Sequence, residues 1–182
     1  MENKLKKILL VLSLLTLTNP ALAKIKVFTC EPEWTSLVEE ITKNRAVVYQ
    51  AISGKQDPHK IQARPSLISK VRNSDMLVCS GAELEIGWLP LLVQKAGNNK
   101  VKPGSIGYFE VATVIDVLDK KSNVDRSMGD QHPLGNPHLH LNPYNILIAG
   151  EEVVKRLSNI DQANSEYYQE NFNSFKAKFS SK

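Results

Sequence analysis

The residues best suited to chemistry in this chain are its histidines, three of which lie close together at positions 132, 138 and 140. Proline and glycine interrupt the surrounding stretch, residues 129–143, which predicts a shaped loop that runs into a short extended segment. Alternate side chains of an extended segment share a face, so we expect His138 and His140 to point the same way. Together with His132 and Asp130 upstream, they form a candidate chelating cluster for Zn²⁺ or Mn²⁺, because neutral imidazole and carboxylate hold such ions.

The fourth histidine, His59, lies in a similar sequence context. An X-Pro-His pattern occurs at residues 57–59 and again at residues 136–138. This recurrence in two loops is the main sign of a function in the sequence. The spacing alone leaves an ordinary alternative open, namely surface-loop histidines that only face water, because short histidine pairs arise often by chance.

Hydrophobic patterning predicts strands that alternate with helices over residues 24–160. The stretch 75–79 carries a continuous apolar run, which is typical of a strand buried on both faces of a parallel sheet. Proline fits the first turn of a helix, and it marks three of the predicted helix starts. Strands are predicted at residues 24–30, 46–52, 75–79 and 111–118, and helices near Pro32, from Pro65, over 87–96 and from Pro143.

This alternation predicts an α/β fold, with a mainly parallel sheet flanked by helices and a long C-terminal helix at the end. Ligands gather beyond the carboxyl ends of the strands in such sheets, where we expect both His59 and the 130–140 cluster. We expect Asp161 to cap the last helix. One face of that helix carries aromatic residues that we interpret as core packing: Tyr168, Phe172, Phe175 and Phe179.

The first 23 residues are expected to be a secretory signal peptide. Three lysines precede an apolar segment at residues 8–17, and an Ala-x-Ala cleavage site follows at residues 21–23. The apolar segment is much shorter than the roughly 20 residues of a membrane span, so we expect a soluble exported protein. Cleavage would remove three Lys and one Glu from a chain of net charge +4, leaving +2. That balance suggests no nucleic-acid partner.

Two cysteines, Cys30 and Cys79, remain in the expected mature chain. Both end predicted strands, and in an oxidising compartment they could pair. A bridge would close a loop of about 50 residues and stabilise the fold by roughly 4 kcal/mol in the chain-entropy description. Reduced, buried thiols are the alternative.

Four stretches carry a resemblance to a known family. They are Gly-x-x-Asp-Pro-His at residues 54–59, the stretch 73–89 from Asn-Ser-Asp through Ser-Gly-x-x-Leu-Glu to Trp-Leu, Asn-Pro-His-x-x-Leu-Asn-Pro at 136–143, and Tyr-x-x-Asn-x-x-x-Phe at 168–175. Each stretch is a weak signal alone, but the ordered set covers essentially the whole mature chain. The chain resembles the zinc- and manganese-type metal-binding receptors of bacterial ABC importers.

The resemblance implies a function. It implies a monomeric periplasmic receptor, not an enzyme, that carries Zn²⁺, or Mn²⁺, to the membrane permease of an ABC importer. It assigns two metal-binding histidines to His59 and His138, in a cleft between two lobes. Residues 24–160 would form one α/β metal-binding lobe and residues 161–182 the start of a linking helix. We expect the second lobe, with the third and fourth ligands, to be absent from this sequence.

The chain departs from that family pattern at two histidines. Position 140 is His where the family commonly has an aromatic residue, so His140 is either an extra ligand or a polar residue of the cleft. His132 lies where zinc-type members often carry a flexible histidine-rich or acidic loop, and it could capture metal or close over it. The predicted metal ligands are therefore His59, His138, His140 and His132.

Two other classes of function stay open from the sequence alone. A secreted zinc hydrolase would use three protein ligands and a general base, but the sequence has no HExxH motif and no evident Ser/His/Asp order. The other alternative is a truncated receptor fragment or a metal-independent exported interaction protein. Metal titration combined with a turnover assay would separate the three.

Overall fold

The computed structural model describes residues 23–121 and 132–180, and the fold of this part of the chain is built on a parallel sheet. The third strand is buried along its whole length, as the continuous apolar pattern predicts for a strand covered on both faces. The strands are β1 Ile25–Thr29, β2 Ala46–Gln50, β3 Met76–Cys79 and β4 Tyr108–Glu110, and their order across the sheet is β2-β1-β3-β4. The predicted α/β fold with a mainly parallel sheet is confirmed.

The strands are connected and covered by α-helices, most of which begin with a proline in the first turn. Proline is tolerated there because the first backbone N–H groups have no partner within the helix. The fourth helix is also capped by Asn142, whose side-chain oxygen accepts a hydrogen bond from the backbone N–H of Tyr144 at 3.0 Å. The helices are α1 Pro32–Thr42, α2 Pro65–Arg72, α3 Leu89–Ala96, α4 Pro143–Ile160 and α5 Ser165–Ser180.

The sheet separates two apolar layers. Val27 faces the layer of α1, α4 and α5, whereas its neighbour Phe28 faces the layer of α2 and α3, because successive strand side chains point to opposite faces. Tyr168 and Phe172 of α5 are buried in the first layer and Phe175 packs at its margin. The interpretation of the aromatic stripe as core packing is therefore confirmed for these three residues.

A disulfide joins the two central strands. Cys30 directly follows β1 and Cys79 ends β3, and their Cα atoms lie 4.8 Å apart. Both cysteines are completely buried. The predicted bridge is confirmed, and the free-thiol alternative is wrong.

Two buried carboxyl groups, Glu31 and Glu85, lie next to this disulfide at the ends of β1 and β3. Glu85 accepts hydrogen bonds from the backbone N–H groups of Ser80 at 2.8 Å and Gly81 at 3.0 Å. Glu31 accepts from the Ser80 hydroxyl at 3.1 Å through its Oε2 atom. These bonds hold the tight turn that leaves β3.

The strand predicted at residues 111–118 is wrong, because the fourth strand is Tyr108–Glu110 and residues 111–113 form a 3-10 turn. Three apolar residues of the predicted strand are nevertheless buried, namely Val111, Ile115 and Val117, whereas Leu118 is exposed. They pack as an irregular segment against the core, so their hydrophobicity reports burial and not a strand.

Asp161 does not cap the last helix, which begins at Ser165. Its carboxylate instead accepts hydrogen bonds from the Tyr168 hydroxyl at 2.5 Å and the Asn164 side-chain amide at 2.9 Å. These bonds tie the junction of α4 and α5 together.

The outer edge of β4 is covered by Arg156 of α4. Its guanidinium donates to the carbonyl oxygens of Ile106 and Tyr108 at 2.9 and 2.8 Å. It also lies 4.8 Å from the centre of the Phe109 ring.

Among the helices described, none is both long and apolar enough to cross a membrane.

Candidate metal centre

The candidate site is an open cavity of about 530 Å³ formed by loops that follow two strands of the sheet. His59 lies in the connection after β2, and His132 and His138 lie after β4. In parallel sheets this is the region where ligands gather. Three of the four predicted histidines reach one cavity, whose described lining consists of His59, Asp119, Lys121, His132, Gly135, Asn136, Pro137 and His138.

His59 is presented by one turn of 3-10 helix, Pro58–Lys60, that Asp57 caps. The Asp57 Oδ1 atom accepts hydrogen bonds from the backbone N–H of His59 at 3.0 Å and from the ring Nδ1 at 2.9 Å. The hydrogen bonds from the ring and from the backbone of His59 lower the pKa of Asp57 to about 2. Since the ionised carboxylate can only accept, Nδ1 carries the hydrogen and the Nε2 lone pair is directed away from Asp57.

A buried indole supports the same turn from behind. Trp88 is fully buried, and its Nε1 atom donates a hydrogen bond of 2.9 Å to the carbonyl oxygen of Pro58. Trp88 lies in the stretch after the Glu85 turn, so this stretch helps to position His59.

His132 meets His59 although 73 residues separate them in the chain. Their Nε2 atoms lie 3.0 Å apart, and their ring centres are 5.1 Å apart. Two such nitrogens form a hydrogen bond only when one of them carries a hydrogen. Because the Nε2 of His59 is the acceptor, His132 donates in the metal-free protein.

The loop that carries His132 and His138 is fixed by backbone contacts with the segment that follows β4. The backbone N–H of Asn136 donates to the Leu118 carbonyl oxygen at 2.8 Å, and that of Lys121 donates to the Pro133 carbonyl oxygen at 3.1 Å. Gly135 has a φ of 106°, and a Cβ atom there would lie 2.4 Å from the Leu118 carbonyl oxygen. Only glycine allows the two segments to approach this closely.

His138 lines the cavity with an exposed side chain. Its backbone N–H donates to the side-chain oxygen of Asn136 at 3.0 Å. This local turn is the counterpart of the Asp57 cap at His59, and it explains why the X-Pro-His pattern occurs twice. Each copy uses the oxygen of an Asp or Asn to shape the turn that presents its histidine.

His140 takes a different position from the one expected. Residues Leu139–Leu141 form a 3-10 turn, so the prediction of an extended segment is wrong, and residues two apart then point about 120° away from each other. The Nδ1 atom of His140 lies 2.8 Å from the Glu33 Oε1 atom in the first turn of α1, at an angle that does not meet hydrogen-bond geometry. His140 is not part of the described cavity lining, and its role as a ligand stays a prediction.

The histidines of the described chain form an open arrangement. Within the described ranges, three His, Cys, Asp or Glu ligand atoms lie within 4.8 Å of one another only at Cys30, Cys79 and Glu85. Those two sulfur atoms are joined in the disulfide. His59 and His132 therefore act as a close pair, and His138 faces the same cavity from further away. Asp130 lies outside the described residues.

Two residues of the cavity lining, Asp119 and Lys121, were not predicted as site residues from the sequence. A signal for Asp119 was present, because it directly follows the apolar stretch 111–118. An acidic residue that follows such a stretch is a ligand candidate in an α/β fold. The contacts that bring it beside the histidine loop depend on the backbone and have no signature in the sequence.

Comparison with known proteins gives consistent relatives. Residues 27–181 match the family described as zinc-uptake complex component A, periplasmic. The metal ABC transporter substrate-binding lipoprotein ScbA of Streptococcus cristatus is 30% identical over 152 residues, which cover 80% of this chain and 46% of ScbA. The iron ABC transporter substrate-binding lipoprotein MtsA of Streptococcus pyogenes is 29% identical over 158 residues, which cover 85% of this chain and 48% of MtsA.

A solved structure shares the fold. The Mn-bound periplasmic metal binding protein from Candidatus Liberibacter asiaticus superimposes with a TM-score of 0.68 at 22% identity, and the match covers 85% of this chain and 53% of that one. The chain thus spans about half the length of the relatives that it matches.

Proposed function

We propose that this chain, which belongs to the family described as zinc-uptake complex component A, periplasmic, binds a divalent metal ion as cargo for an ABC importer. The resemblance seen in the sequence is confirmed by this membership. The family and the named relatives are substrate-binding transport proteins and not enzymes. Membership in this family supports the expectation that the chain is a transport receptor rather than a hydrolase.

The observation that carries the proposal is the contact between the Nε2 atoms of His59 and His132. Two nitrogens that each lie about 2.0–2.1 Å from a tetrahedral Zn²⁺ are roughly 3.3 Å apart. The observed separation of 3.0 Å is close to that value, so the two rings need little movement to accept one ion. The ion replaces the hydrogen that the two nitrogens share, and this hydrogen is released on binding.

Asp57 prepares His59 for this role. A histidine that ligates a metal usually donates its other ring N–H to a carboxylate, which fixes the orientation of the ring and increases its basicity. The bond of 2.9 Å from the His59 Nδ1 atom to Asp57 has this arrangement before any metal binds. The conformational entropy of the His59 ring is therefore already lost in the metal-free fold, and metal binding does not have to order this ring.

We propose His138 as the third ligand, because it lines the same cavity. Its exposed ring is free of dense packing, and movement within the cavity would bring it toward the close pair. His140, the remaining candidate, is drawn to Glu33 and would have to leave this partner to ligate. The cavity also opens to solvent, which supplies water for any remaining coordination position.

Zinc is the metal that we propose, with manganese as the alternative. Imidazole ligands suit Zn²⁺, whereas Mn²⁺ prefers carboxylate and carbonyl oxygen. ScbA is named as a transporter protein for a metal that its name does not specify, and MtsA as one for iron. The matching family is named for zinc uptake. A direct comparison of metals on this chain is needed to choose among them.

We further propose that the chain acts as an exported monomer and passes its ion to the membrane permease of the importer. The relatives are named as lipoproteins of ABC transporters, and a buried disulfide suits an oxidising compartment. Of the proposed signal peptide, residues 1–22 lie outside the described residues.

The test is calorimetry with Zn²⁺ and Mn²⁺ on residues 24–182. We expect measurable Zn²⁺ binding, with an affinity limited because the described cavity is open to solvent and its loops become ordered on binding. His59→Ala, His132→Ala and His138→Ala should each weaken Zn²⁺ binding at least about ten-fold, the lower limit for loss of a supporting group around a metal.

The matched control is Lys55→Ala, an exposed residue in the same connection as His59, which should bind as the wild type does. His140→Ala assigns the last candidate, since only a ligand should lower the affinity as much as His138 does. Equal Zn²⁺ affinity in the wild type, His59→Ala and His132→Ala would contradict the proposed site.

A further inference from the structure

We propose that Asp119 is a carboxylate ligand of the metal cavity and the residue that adjusts its preference between metals. This inference rests on the proposed function, because it assigns one more ligand to the same site. The resemblance to metal receptors points only to histidines in this chain. The case for Asp119 comes from its position, its backbone and the charges around it.

The position of Asp119 is built into the fold. It lies between Leu118 and Lys121, whose backbone groups bond to the histidine loop at 2.8 and 3.1 Å, through Asn136 and Pro133. These bonds bracket Asp119 and hold it beside the segment that runs from His132 to His138. The segment that carries Asp119 therefore keeps its place relative to that histidine loop.

The backbone of Asp119 adopts a conformation that few residues accept. Its φ is 59°, in the left-handed region that is costly for most side chains and tolerated by Asp. Glycine would adopt this conformation more easily. The chain has a carboxylate residue here, and Asp119 contributes to the lining of the cavity.

The charges of the cavity lining also favour a carboxylate ligand. Among the described residues of that lining, Asp119 is the acidic one, and Lys121 is the basic one. Neutral imidazoles leave the full +2 charge of a bound ion uncompensated. A carboxylate within a few ångströms compensates part of it and offsets the repulsion from the Lys121 ammonium.

The chemistry of the ligand predicts a selective effect. Carboxylate oxygen is a preferred ligand of Mn²⁺, whereas imidazole alone favours Zn²⁺. The exposed side chain of Asp119 can rotate toward the histidines when an ion enters. A set of histidines plus Asp119 should therefore hold Mn²⁺ or Fe²⁺ in addition to Zn²⁺, and loss of the carboxylate should narrow this range.

The experiment uses the purified protein with its disulfide intact and measures Zn²⁺ and Mn²⁺ affinity by calorimetry. Asp119→Asn keeps the size of the side chain and removes the charge. We expect its Mn²⁺ affinity to fall at least about ten-fold and its Zn²⁺ affinity to fall less. Asp116→Asn is the matched control, because Asp116 lies in the same segment, is almost fully exposed, pairs with Lys120 and is not in the described lining.

A second variant separates a ligand from a structural residue. Asp119→Gly relieves the left-handed backbone, so its thermal stability should stay equal or rise while its Mn²⁺ affinity falls as in Asp119→Asn. Wild-type Mn²⁺ and Zn²⁺ affinities in both variants would overturn the assignment of Asp119. If His59→Ala still abolished binding in that case, the proposed receptor function would stand without Asp119. Loss of affinity in Asp116→Asn equal to that in Asp119→Asn would show a general charge effect and would also overturn it.

Discussion

The buried carboxyl pair predicts an unusual dependence of stability on pH. Burial, followed by the charge of Glu85, raises the pKa of Glu31 well above its ordinary value. Burial likewise raises the pKa of Glu85 to about 7. No N–H or O–H group of the described residues faces the Glu31 Oε1 atom. The contact between the carboxyls is satisfied only when one of them carries a proton, and Glu31 is the residue that keeps it.

The sign of the effect follows from proton uptake. Between the unfolded pKa of 4.5 and the folded value of about 7, the folded protein holds more protons at Glu85 than the unfolded chain does. The free energy of unfolding must then fall as the pH rises. The contribution is fully present below pH 4.5 and lost by about pH 7, and it amounts to about 3 kcal/mol from this shift. Total stabilities are about 5–15 kcal/mol, so such a loss is readily measured.

The substitution Glu31→Gln tests this reasoning. The amide of Gln keeps an oxygen for the Ser80 hydroxyl and offers a permanent N–H donor to Glu85, so it mimics protonated Glu31 at every pH. We expect urea unfolding to show the stability of both proteins falling by about 3 kcal/mol from pH 5 to pH 8 as Glu85 ionises, with an additional fall in the wild type alone as Glu31 begins to ionise. The variant should be the more stable protein at pH 8.

The control is Glu39→Gln, an exposed carboxyl on the same helix α1, which should follow the wild-type profile. Asp57 does not interfere in this range, because its pKa of about 2 places its titration well below pH 5. Parallel profiles for wild type and Glu31→Gln would refute the shared-proton explanation.

Two further predictions concern the disulfide and the support of His59. Replacing Cys30 and Cys79 together by Ala should lower the free energy of unfolding by about 4 kcal/mol, the chain-entropy value for a bridge between residues 49 apart. Urea unfolding of the wild type with and without reductant checks this stabilisation. Coincident unfolding curves for the oxidised and reduced protein would contradict it. Trp88→Phe removes the hydrogen bond to Pro58 and should cost about 1 kcal/mol of stability and weaken Zn²⁺ binding through a looser His59 turn. Unchanged calorimetric affinity in Trp88→Phe would show that the turn is held without the indole.

The central strands and the disulfide were predictable because they depend on simple patterns. Apolar runs that end at Cys30 and Cys79 indicate buried parallel strands, and neighbouring strand ends bring the two cysteines together. The prediction of the fourth strand was wrong because it also relied on an apolar pattern. The segment after β4 buries Val111 and Val117 without joining the sheet, and hydrophobic pattern does not distinguish these two kinds of burial.

The site was predictable in its residue types but not in its pairing. The sequence indicated His59 and the histidine loop, and the resemblance paired His59 with His138, whereas the structure places His132 against His59. That contact depends on the turn shaped by Gly135 and its approach to Leu118. Loop conformations of this kind come from many backbone contacts between distant segments, and such contacts leave no periodic signal.

Arg156 on the edge of β4 has a consequence for solubility. An edge strand of a parallel sheet carries unpaired carbonyl oxygens that can template the backbone of another molecule and start aggregation. Here a guanidinium donates to the carbonyl oxygen of Tyr108 in β4 and to that of Ile106 just before the strand, and β4 itself is only three residues long. Arg156 is held in place by Glu152 at 2.8 Å and by the Phe109 ring. The sheet therefore ends in a short strand whose outward carbonyl oxygens already accept hydrogen bonds from Arg156, which discourages the addition of foreign strands.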